Sequence, residues 1–211
     1  MRICAPSLSS RLHMPAYAHL RNTFGLTEEI EQHRQLRLQA GDHDILLCRG
    51  TDVPQIVALE VADVGLTGYD VAVEWALANN RELDIRDLGP SRASFVCFVA
   101  VPGRQVGRIY SEYPAITTRW LTESRQYDQL PIVPMHGSSE AVIAADPLGG
   151  GVLLVTSGDT LRANGLSDVF PLLSTDLCLV SLPGRMPERW GGQPTAELPS
   201  LPVSAKPPIG R

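Results

Sequence analysis

Short apolar segments alternate with amphipathic helical segments through most of the 211 residues, and this alternation limits the fold more than any other feature. The apolar segments have the usual length of strands, and the segments between them repeat apolar residues at helical spacing. Strands that alternate with helices form α/β sheets with parallel neighbours, because each helix carries the chain back across the sheet. The sequence therefore predicts an α/β protein.

Seven strands and six helices are predicted from these patterns. The strands are Arg2–Ala5, Asp44–Cys48, Val64–Thr67, Phe95–Val101, Ile132–Met135, Val152–Val155 and Leu177–Leu182. The helices are Pro15–Phe24, Val53–Val61, Asp70–Asn79, Ile116–Ser124 and Ser139–Ala145, with a short one from Thr160. We expect Asp52 to cap the second helix, since Pro54 suits its first turn.

The order of the elements predicts two α/β lobes. The first comprises 1–90 plus about 178–195, and the second comprises 91–177 with a phosphate-binding loop. The turn-rich segment 87–94 is the expected crossover between them. Residues 196–211 are rich in proline, which predicts a mobile tail with no further regulatory domain.

Charge and single residue types exclude several classes of function. The formal net charge of −5 argues against a nucleic-acid-binding protein with a general basic face. Lys206 is the single lysine and lies in the tail, which argues against a lysine Schiff base or a P-loop lysine.

The cysteines, histidines and apolar segments bear on disulfides, bound metal and cellular location. The four cysteines, at positions 4, 48, 97 and 178, form no C-x-x-C pair, so we expect reduced core residues rather than disulfides or metal ligands. The histidines lack metal-ligand spacing, so no protein-bound metal is expected. No segment has membrane-spanning length and the first residues lack a secretory apolar stretch, which predicts a cytoplasmic protein.

The stretch TSGDTLRANGL, residues 156–166, follows an apolar strand and leads directly into a helix. Helix-start N–H groups, the close backbone approach that Gly158 allows and nearby hydroxyls together suit a phosphate, without any lysine. Asp159 better suits a ribose diol or Mg²⁺. The alternative is ordinary helix capping by Asp or Ser, which is common at such junctions.

Four stretches in the same order resemble the short-form catalytic subunit of the ATP phosphoribosyltransferase family. They are RGTDVPQIVALEVADVGLTGYDVAVE (49–74), SEYPAIT (111–117), HGSSEAV (136–142) and the TSGDTLRANGL stretch itself. The resemblance implies two α/β lobes with a cleft between them, similar to the periplasmic-binding-protein-like fold. It covers Arg49 to Leu166 and, more loosely, the N-terminal region.

The resemblance also implies an enzyme, a glycosyltransferase that joins phosphoribosyl pyrophosphate to N1 of ATP in the first step of histidine biosynthesis. Mg²⁺ would be held mainly by the substrates. The implied catalytic residues are Glu140 and Asp159. The implied substrate-binding residues are Arg11, Arg49, Asp70, Thr156, Ser157, Gly158, Asp159, Thr160 and Leu161.

Without the resemblance, these residues can also be explained by ordinary structural roles. Arg49 could be an exposed loop cation, Asp70 a helix cap beside Gly68, and Glu140 a solvated carboxylate in the first turn of its helix. Arg11 lies in a distorted motif, PSLSSRL, which has no lysine.

Several positions depart from the family pattern. Glu112 stands where the resemblance implies lysine, and Gly149 and Leu153 stand where it implies aspartates. Loss of a charge-assisted contact to an anion costs about 1.5–3 kcal/mol. Arginines at 92, 108 and 162 are the candidates to neutralise phosphate instead.

Two hypotheses of different class follow. The first is a phosphoribosyltransferase that uses ATP or another nitrogen-heterocycle acceptor. The second is a non-catalytic nucleotide- or phosphate-binding paralogue; a two-lobed solute-binding protein is a more remote third. The resemblance further implies a homo-oligomer, with a partner similar to histidyl-tRNA synthetase, and neither a nucleic-acid nor a membrane partner.

Overall fold

The computed structural model describes residues 1–27, 36–89, 94–124, 130–187 and 190, together with the backbone of 193–195. Its strands are β1 (Arg2–Pro6), β2 (Arg37–Ala40), β3 (His43–Cys48), β4 (Val64–Gly68), β5 (Asp84–Asp87), β6 (Ser94–Ala100), β7 (Arg108–Ser111), β8 (Ile132–Pro134), β9 (Gly149–Val155), β10 (Asp168–Thr175), β11 (Leu177–Ser181) and β12 (Gln193–Thr195). Its α-helices are α1 (His13–Phe24), α2 (Val53–Ala58), α3 (Tyr69–Asn79), α4 (Pro114–Ser124), α5 (Ser139–Ala145) and α6 (Asp159–Ala163).

The described residues fall into two compact α/β units, so the predicted fold class is confirmed. Unit 1 takes those within Met1–Ser91 and Asp176–Leu198, and unit 2 takes those within Arg92–Thr175. The expected mobile tail, 196–211, and half of the expected crossover, residues 90–93, lie outside the described residues.

Unit 1 is a seven-stranded sheet in the order β12-β5-β11-β4-β1-β3-β2. β1 runs parallel to β3 and β4, while β11 is antiparallel to β4 and β5. One face buries Ile3, Ile45 and Leu66 under α1, and the other buries Cys4 and its neighbours under α2 and α3. This two-sided burial explains why the central strands are apolar throughout.

Unit 2 is a five-stranded sheet in the order β10-β6-β9-β7-β8. β7 is parallel to both β8 and β9, whereas β6 is antiparallel to β9 and β10. On one face Ile143 of α5 packs with Leu153 and Leu161. On the other face the Trp120 ring of α4 lies 5.4 Å from the ring of Phe98.

Every predicted strand and helix overlaps an observed one, but five strands were missed: β2, β5, β7, β10 and β12. β10 contains Pro171, which argues against a strand, and β10 accommodates it on the sheet edge with a register shift after that residue. In β5, DIRD, three charged residues surround the buried Ile85 and mask the strand pattern.

The start of α2 and the four cysteines bear on two local predictions. Asp52 lies at the start of α2 as predicted, yet its side chain makes no capping hydrogen bond, because a 3-10 turn, Gly50–Asp52, leads directly into the helix. All four cysteines lie in strands as free thiols; three are buried as expected, whereas Cys48 is half-buried.

Candidate functional site

In unit 2, three parallel strands end at one edge of the sheet and each leads into a helix. β7 leads to α4, β8 to α5 and β9 to α6, and β7 pairs in parallel with the other two. The carboxyl edge of parallel strands is where α/β proteins bind ligands, because loops and helix N-termini converge there. Three of the four stretches singled out in the sequence lie at this edge.

The turn after β9 is built around Gly158, which has φ 73° and ψ 6° and immediately precedes α6. This left-handed conformation suits glycine and turns the chain sharply from strand into helix. By helix geometry, the first N–H groups of α6 lack intrahelical acceptors, and N–H groups of this kind can bind an anion. We call residues 156–161 the cradle.

Side chains of the cradle also bond to their neighbours. The Ser157 hydroxyl accepts the N–H of Asp159 at 3.3 Å, so part of the plain capping alternative is realised. The Thr156 hydroxyl lies 3.0 Å from that of Ser94 on β6. Asp159 forms an exposed ion pair with Arg162. Hydrogen bonding from the Ser157 side chain, and then from Arg162, lowers the pKa of Asp159.

Two cradle residues differ in what they can offer a ligand. Thr160 is exposed in the first turn of α6. The Leu161 side chain, by contrast, is 4% exposed and packs in the core with Ile143 and Leu166. Leu161 can therefore contact a ligand only through its backbone.

The loop after β8 brings the second implied catalytic residue to the same edge. Glu140 is half-buried in the first turn of α5. Ser139, directly before it, is fully buried and donates its hydroxyl to Glu112 Oε1 at 2.7 Å. Glu112 follows β7, so two of the sequence stretches are joined by this bond. The sequence marked Glu112 only as a departure, and nothing in it indicated Ser139.

The two missing aspartates have a packing explanation. A Cβ atom at Gly149 would lie 3.1 Å from both Asp146 Cβ and the Ile143 carbonyl oxygen, which leaves little room for a side chain. Leu153 is 1% exposed inside the core cluster of unit 2, where a carboxylate would be desolvated. Both replacements therefore fit the interior of this chain.

Of the three arginines proposed to replace lost charges, one lies at the cradle. Arg162 pairs with Asp159 there. Arg108 begins β7 at the opposite end of the strand and pairs with Asp146 at 3.2 Å, so that expectation was wrong for Arg108. Arg92 lies outside the described residues.

In unit 1, the loops after β1, β3 and β4 likewise leave the carboxyl edge of parallel strands. Arg11 Nη2 donates to both carboxylate oxygens of Asp70, at 2.9 and 3.0 Å. Asp70 is 1% exposed and lies in the first turn of α3. Arg11 and Asp70 thus form a partly buried ion pair.

Arg49 lies on the neighbouring loop, after β3, and is exposed. Thr67 donates its hydroxyl to the Gly50 carbonyl at 2.8 Å, which ties that loop to the end of β4. Ser7 N–H donates to the Cys48 carbonyl at 2.8 Å and ties it to the end of β1. At this edge unit 1 thus has Arg11 and Arg49 on loops and Asp70 in the first turn of α3.

Membrane-spanning helices and clusters of metal ligands are absent from the described ranges. No helix there is long and apolar enough to cross a membrane. In the same ranges, no three His, Cys, Asp or Glu residues converge as metal ligands.

The amino-acid sequence is similar to proteins of one known family. A family model described as HisG, ATP phosphoribosyltransferase, matches residues 49–192. ATP phosphoribosyltransferase of Haloarcula marismortui is 32% identical over 85% of this chain and 64% of its own length. That of Shouchella clausii is 31% identical over 69% of this chain and 68% of its own. The chain spans about two thirds of the length of these relatives.

Solved structures agree on the fold. The ATP phosphoribosyl transferase (HisG:HisZ) complex from Thermotoga maritima includes a chain that is 22% identical with a TM-score of 0.68, covering 87% of this chain and 88% of that one. YhfZ from Shigella flexneri has a TM-score of 0.53 at 11% identity, covering 85% of this chain and 76% of that one. At these identities the likeness concerns the fold alone.

Proposed function

Because the chain belongs to the ATP phosphoribosyltransferase family, we propose that it transfers the phosphoribosyl group of phosphoribosyl pyrophosphate to N1 of ATP, as in the first step of histidine biosynthesis. In this reaction the bond between ribose C1 and the pyrophosphate oxygen breaks, and a bond from C1 to the acceptor nitrogen forms. Pyrophosphate leaves with the bonding electron pair. A cytoplasmic location follows from these substrates.

The cradle carries the proposal. Its strand–turn–helix geometry, with Gly158 in the left-handed conformation, supports a role in binding the 5-phosphate of the donor. Fixing this end of the donor holds C1 in place and lowers the entropic cost of bringing it to the acceptor. Arg162, beside Asp159, adds a cation at the same helix.

Glu140 and Asp159 are the carboxylates proposed to act on the ribose. The transition state is oxocarbenium-like, so positive charge develops at C1 and the ring oxygen. Carboxylates held near the ring stabilise that charge and accept hydrogen bonds from the ribose hydroxyls. In unit 1, Arg11 and Arg49 are proposed to contact anionic substrate groups, with Asp70 orienting Arg11.

Mg²⁺ is proposed to arrive with the substrate. This ion commonly binds one or two carboxylates together with substrate phosphates, and Asp159 and Glu140 are the carboxylates in the proposed donor site. The ion would neutralise charge on the pyrophosphate. We also propose that the chain forms an oligomer and associates with a HisZ-like subunit, since a relative in fold is found in such a complex.

Pyrophosphate release is the decisive measurement. Purified protein with Mg²⁺, phosphoribosyl pyrophosphate and ATP is assayed with and without a HisZ-like subunit. We expect Gly158→Trp to abolish release, because the side chain fills the cradle. Gly165→Trp is the matched control, since Gly165 flanks the other end of α6 with φ 70° against 73° at Gly158.

Three outcomes are informative. Turnover lost only in Gly158→Trp supports the proposal. Equal loss in both variants, with circular dichroism unchanged, contradicts the assignment of the cradle. Calorimetric binding of the donor without any release, with every acceptor tested and the partner present, would show a binding protein rather than an enzyme.

A further inference from the structure

A partly buried hydrogen bond in unit 2 joins two residues that have no role so far, next to the proposed catalytic residue Glu140. Ser139 is fully buried, and its hydroxyl donates to Glu112 Oε1 at 2.7 Å. A buried hydroxyl that lost this acceptor would bear an uncompensated desolvation cost, so the bond holds the two residues together.

The backbone beside Ser139 is strained. Ser138 has φ 55° and ψ 25°, a left-handed conformation that is uncommon outside glycine, and Gly137 before it has φ 127°. Such residues persist only where their surroundings fix them. Ser138 makes no capping bond with its own side chain, so Ser139 is the nearest residue whose side chain anchors this turn.

Glu112 is itself fixed to the sheet. Its N–H donates to the Val152 carbonyl of β9 at 3.0 Å, and Met135 N–H donates to the Ser111 carbonyl at 2.8 Å. The backbone of Glu112 is therefore held in place by β7 and by β9, and β9 is the strand that ends in the cradle. Through its hydrogen bond to Ser139, Glu112 connects β9 to the first turn of α5.

We infer that Glu112 and Ser139 form a positioning pair for Glu140, the next residue of α5. The pair fixes the strained turn at Ser138 relative to β9, and so places the Glu140 carboxylate relative to a donor phosphate held in the cradle. Neither member needs to touch the substrate. This inference rests on the proposed function, because it takes Glu140 to act on the ribose.

Kinetics in two backgrounds test the pair. We expect Ser139→Ala and Glu112→Ala to lower kcat about 10- to 100-fold, as misplacement of a reacting group does. KM for phosphoribosyl pyrophosphate should stay within about twofold, since the cradle is intact. Glu112→Gln keeps an acceptor oxygen and should retain most of kcat. In a Glu140→Ala background, Ser139→Ala should cause no further loss.

Thr117→Val is the matched control. Ser111 and Thr117 share a buried hydroxyl contact of the same 2.7 Å length, on β7 and α4. This variant should lose stability and keep kcat. A full effect of Ser139→Ala in the Glu140→Ala background overturns the inference, as does a Glu112→Gln variant as impaired as Glu112→Ala.

Hydrogen exchange separates this inference from the proposed function. Ser139→Ala should speed exchange of amides 138–142 and leave those of α6 unchanged. If the wild type shows no turnover, the proposed function fails, and with it the catalytic part of the pair's role. If exchange at 138–142 is unchanged in Ser139→Ala, the pair does not fix this turn, whatever the turnover.

Discussion

Replacement of Gly151 by alanine tests how α5 packs on the sheet of unit 2. A Cβ atom at Gly151 would lie 2.1 Å from Ile143 Cδ1, 2.9 Å from Ile143 Cγ1 and 3.3 Å from the Tyr110 carbonyl oxygen. Ile143 is fully buried, so its side chain would have to shift within the packed core of unit 2. Overpacking of this kind costs about 1–3 kcal/mol, so we expect Gly151→Ala to destabilise unit 2 by that amount.

A double-mutant cycle identifies the cause. Ile143→Ala removes both atoms that clash and should by itself cost about 2–5 kcal/mol through the cavity it leaves. The new Cβ in Gly151→Ala/Ile143→Ala occupies part of that cavity. The double variant should therefore be less destabilised than the sum of the two single variants, by about 1–3 kcal/mol.

Urea unfolding followed by hydrogen-exchange mass spectrometry gives the stability of unit 2 from its own peptides. Gly107→Ala is the control, because the nearest atom to its Cβ, on Leu148, lies at 3.4 Å and its φ is not positive. It should be neutral or stabilising by up to about 1 kcal/mol. Additivity in the Gly151 and Ile143 cycle, or equal destabilisation in Gly107→Ala, would refute the packing argument.

Three further predictions concern ionisable groups. A hydrogen bond from the Cys4 side chain lowers the pKa of the half-buried Cys48 thiol, whereas burial raises the pKa of Cys97 to about 11. Iodoacetamide at neutral pH should therefore label Cys48 before Cys97, as followed by mass spectrometry. Labelling of Cys97 first would contradict this. Hydrogen bonds from the Leu148 N–H and then from the Tyr110 hydroxyl lower the pKa of Asp146 from its usual value of 3.8. The ionised carboxylate therefore stabilises the fold above that pH, and this stabilisation is lost as the pH falls below it. In Asp146→Asn, the free energy of unfolding measured in urea should fall less steeply than in the wild type below about pH 4. Arg11→Ala should destabilise unit 1 by about 1.5–3 kcal/mol in urea, and an equal loss on top of Asp70→Asn would show that the ion pair is not the cause.

The sequence predicted elements whose pattern is local. Strands buried on both faces, such as β4 and β11, are continuous apolar runs and were identified with nearly correct ends. Edge strands were missed because packing on one side alone leaves a weak pattern, as in β2, or because a residue such as Pro171 argues against a strand that tertiary pairing nevertheless forms.

The backbone geometry of the candidate site was predicted for a similar reason, whereas its long-range contacts were not. The cradle is a local arrangement of strand, turn and helix, so its residues are recognisable in the sequence. The bonds from Ser139 to Glu112 and from Arg11 to Asp70 join residues 27 and 59 positions apart. Neither partner has a local pattern that indicates the other, and a single sequence cannot reveal such contacts.

The position of β11 has a consequence for the order in which the chain acquires structure. Among the residues that the structure describes, unit 2 uses one continuous segment, whereas unit 1 needs β11, which is synthesised after that segment, to pair with both β4 and β5. While the ribosome is still adding residues up to Thr175, β4 has an unpaired edge and β5 has no neighbour from its own sheet. Unit 2 can therefore fold during synthesis, and the sheet of unit 1 closes last. A nascent chain stalled before β11 would expose that edge to chaperones and proteases.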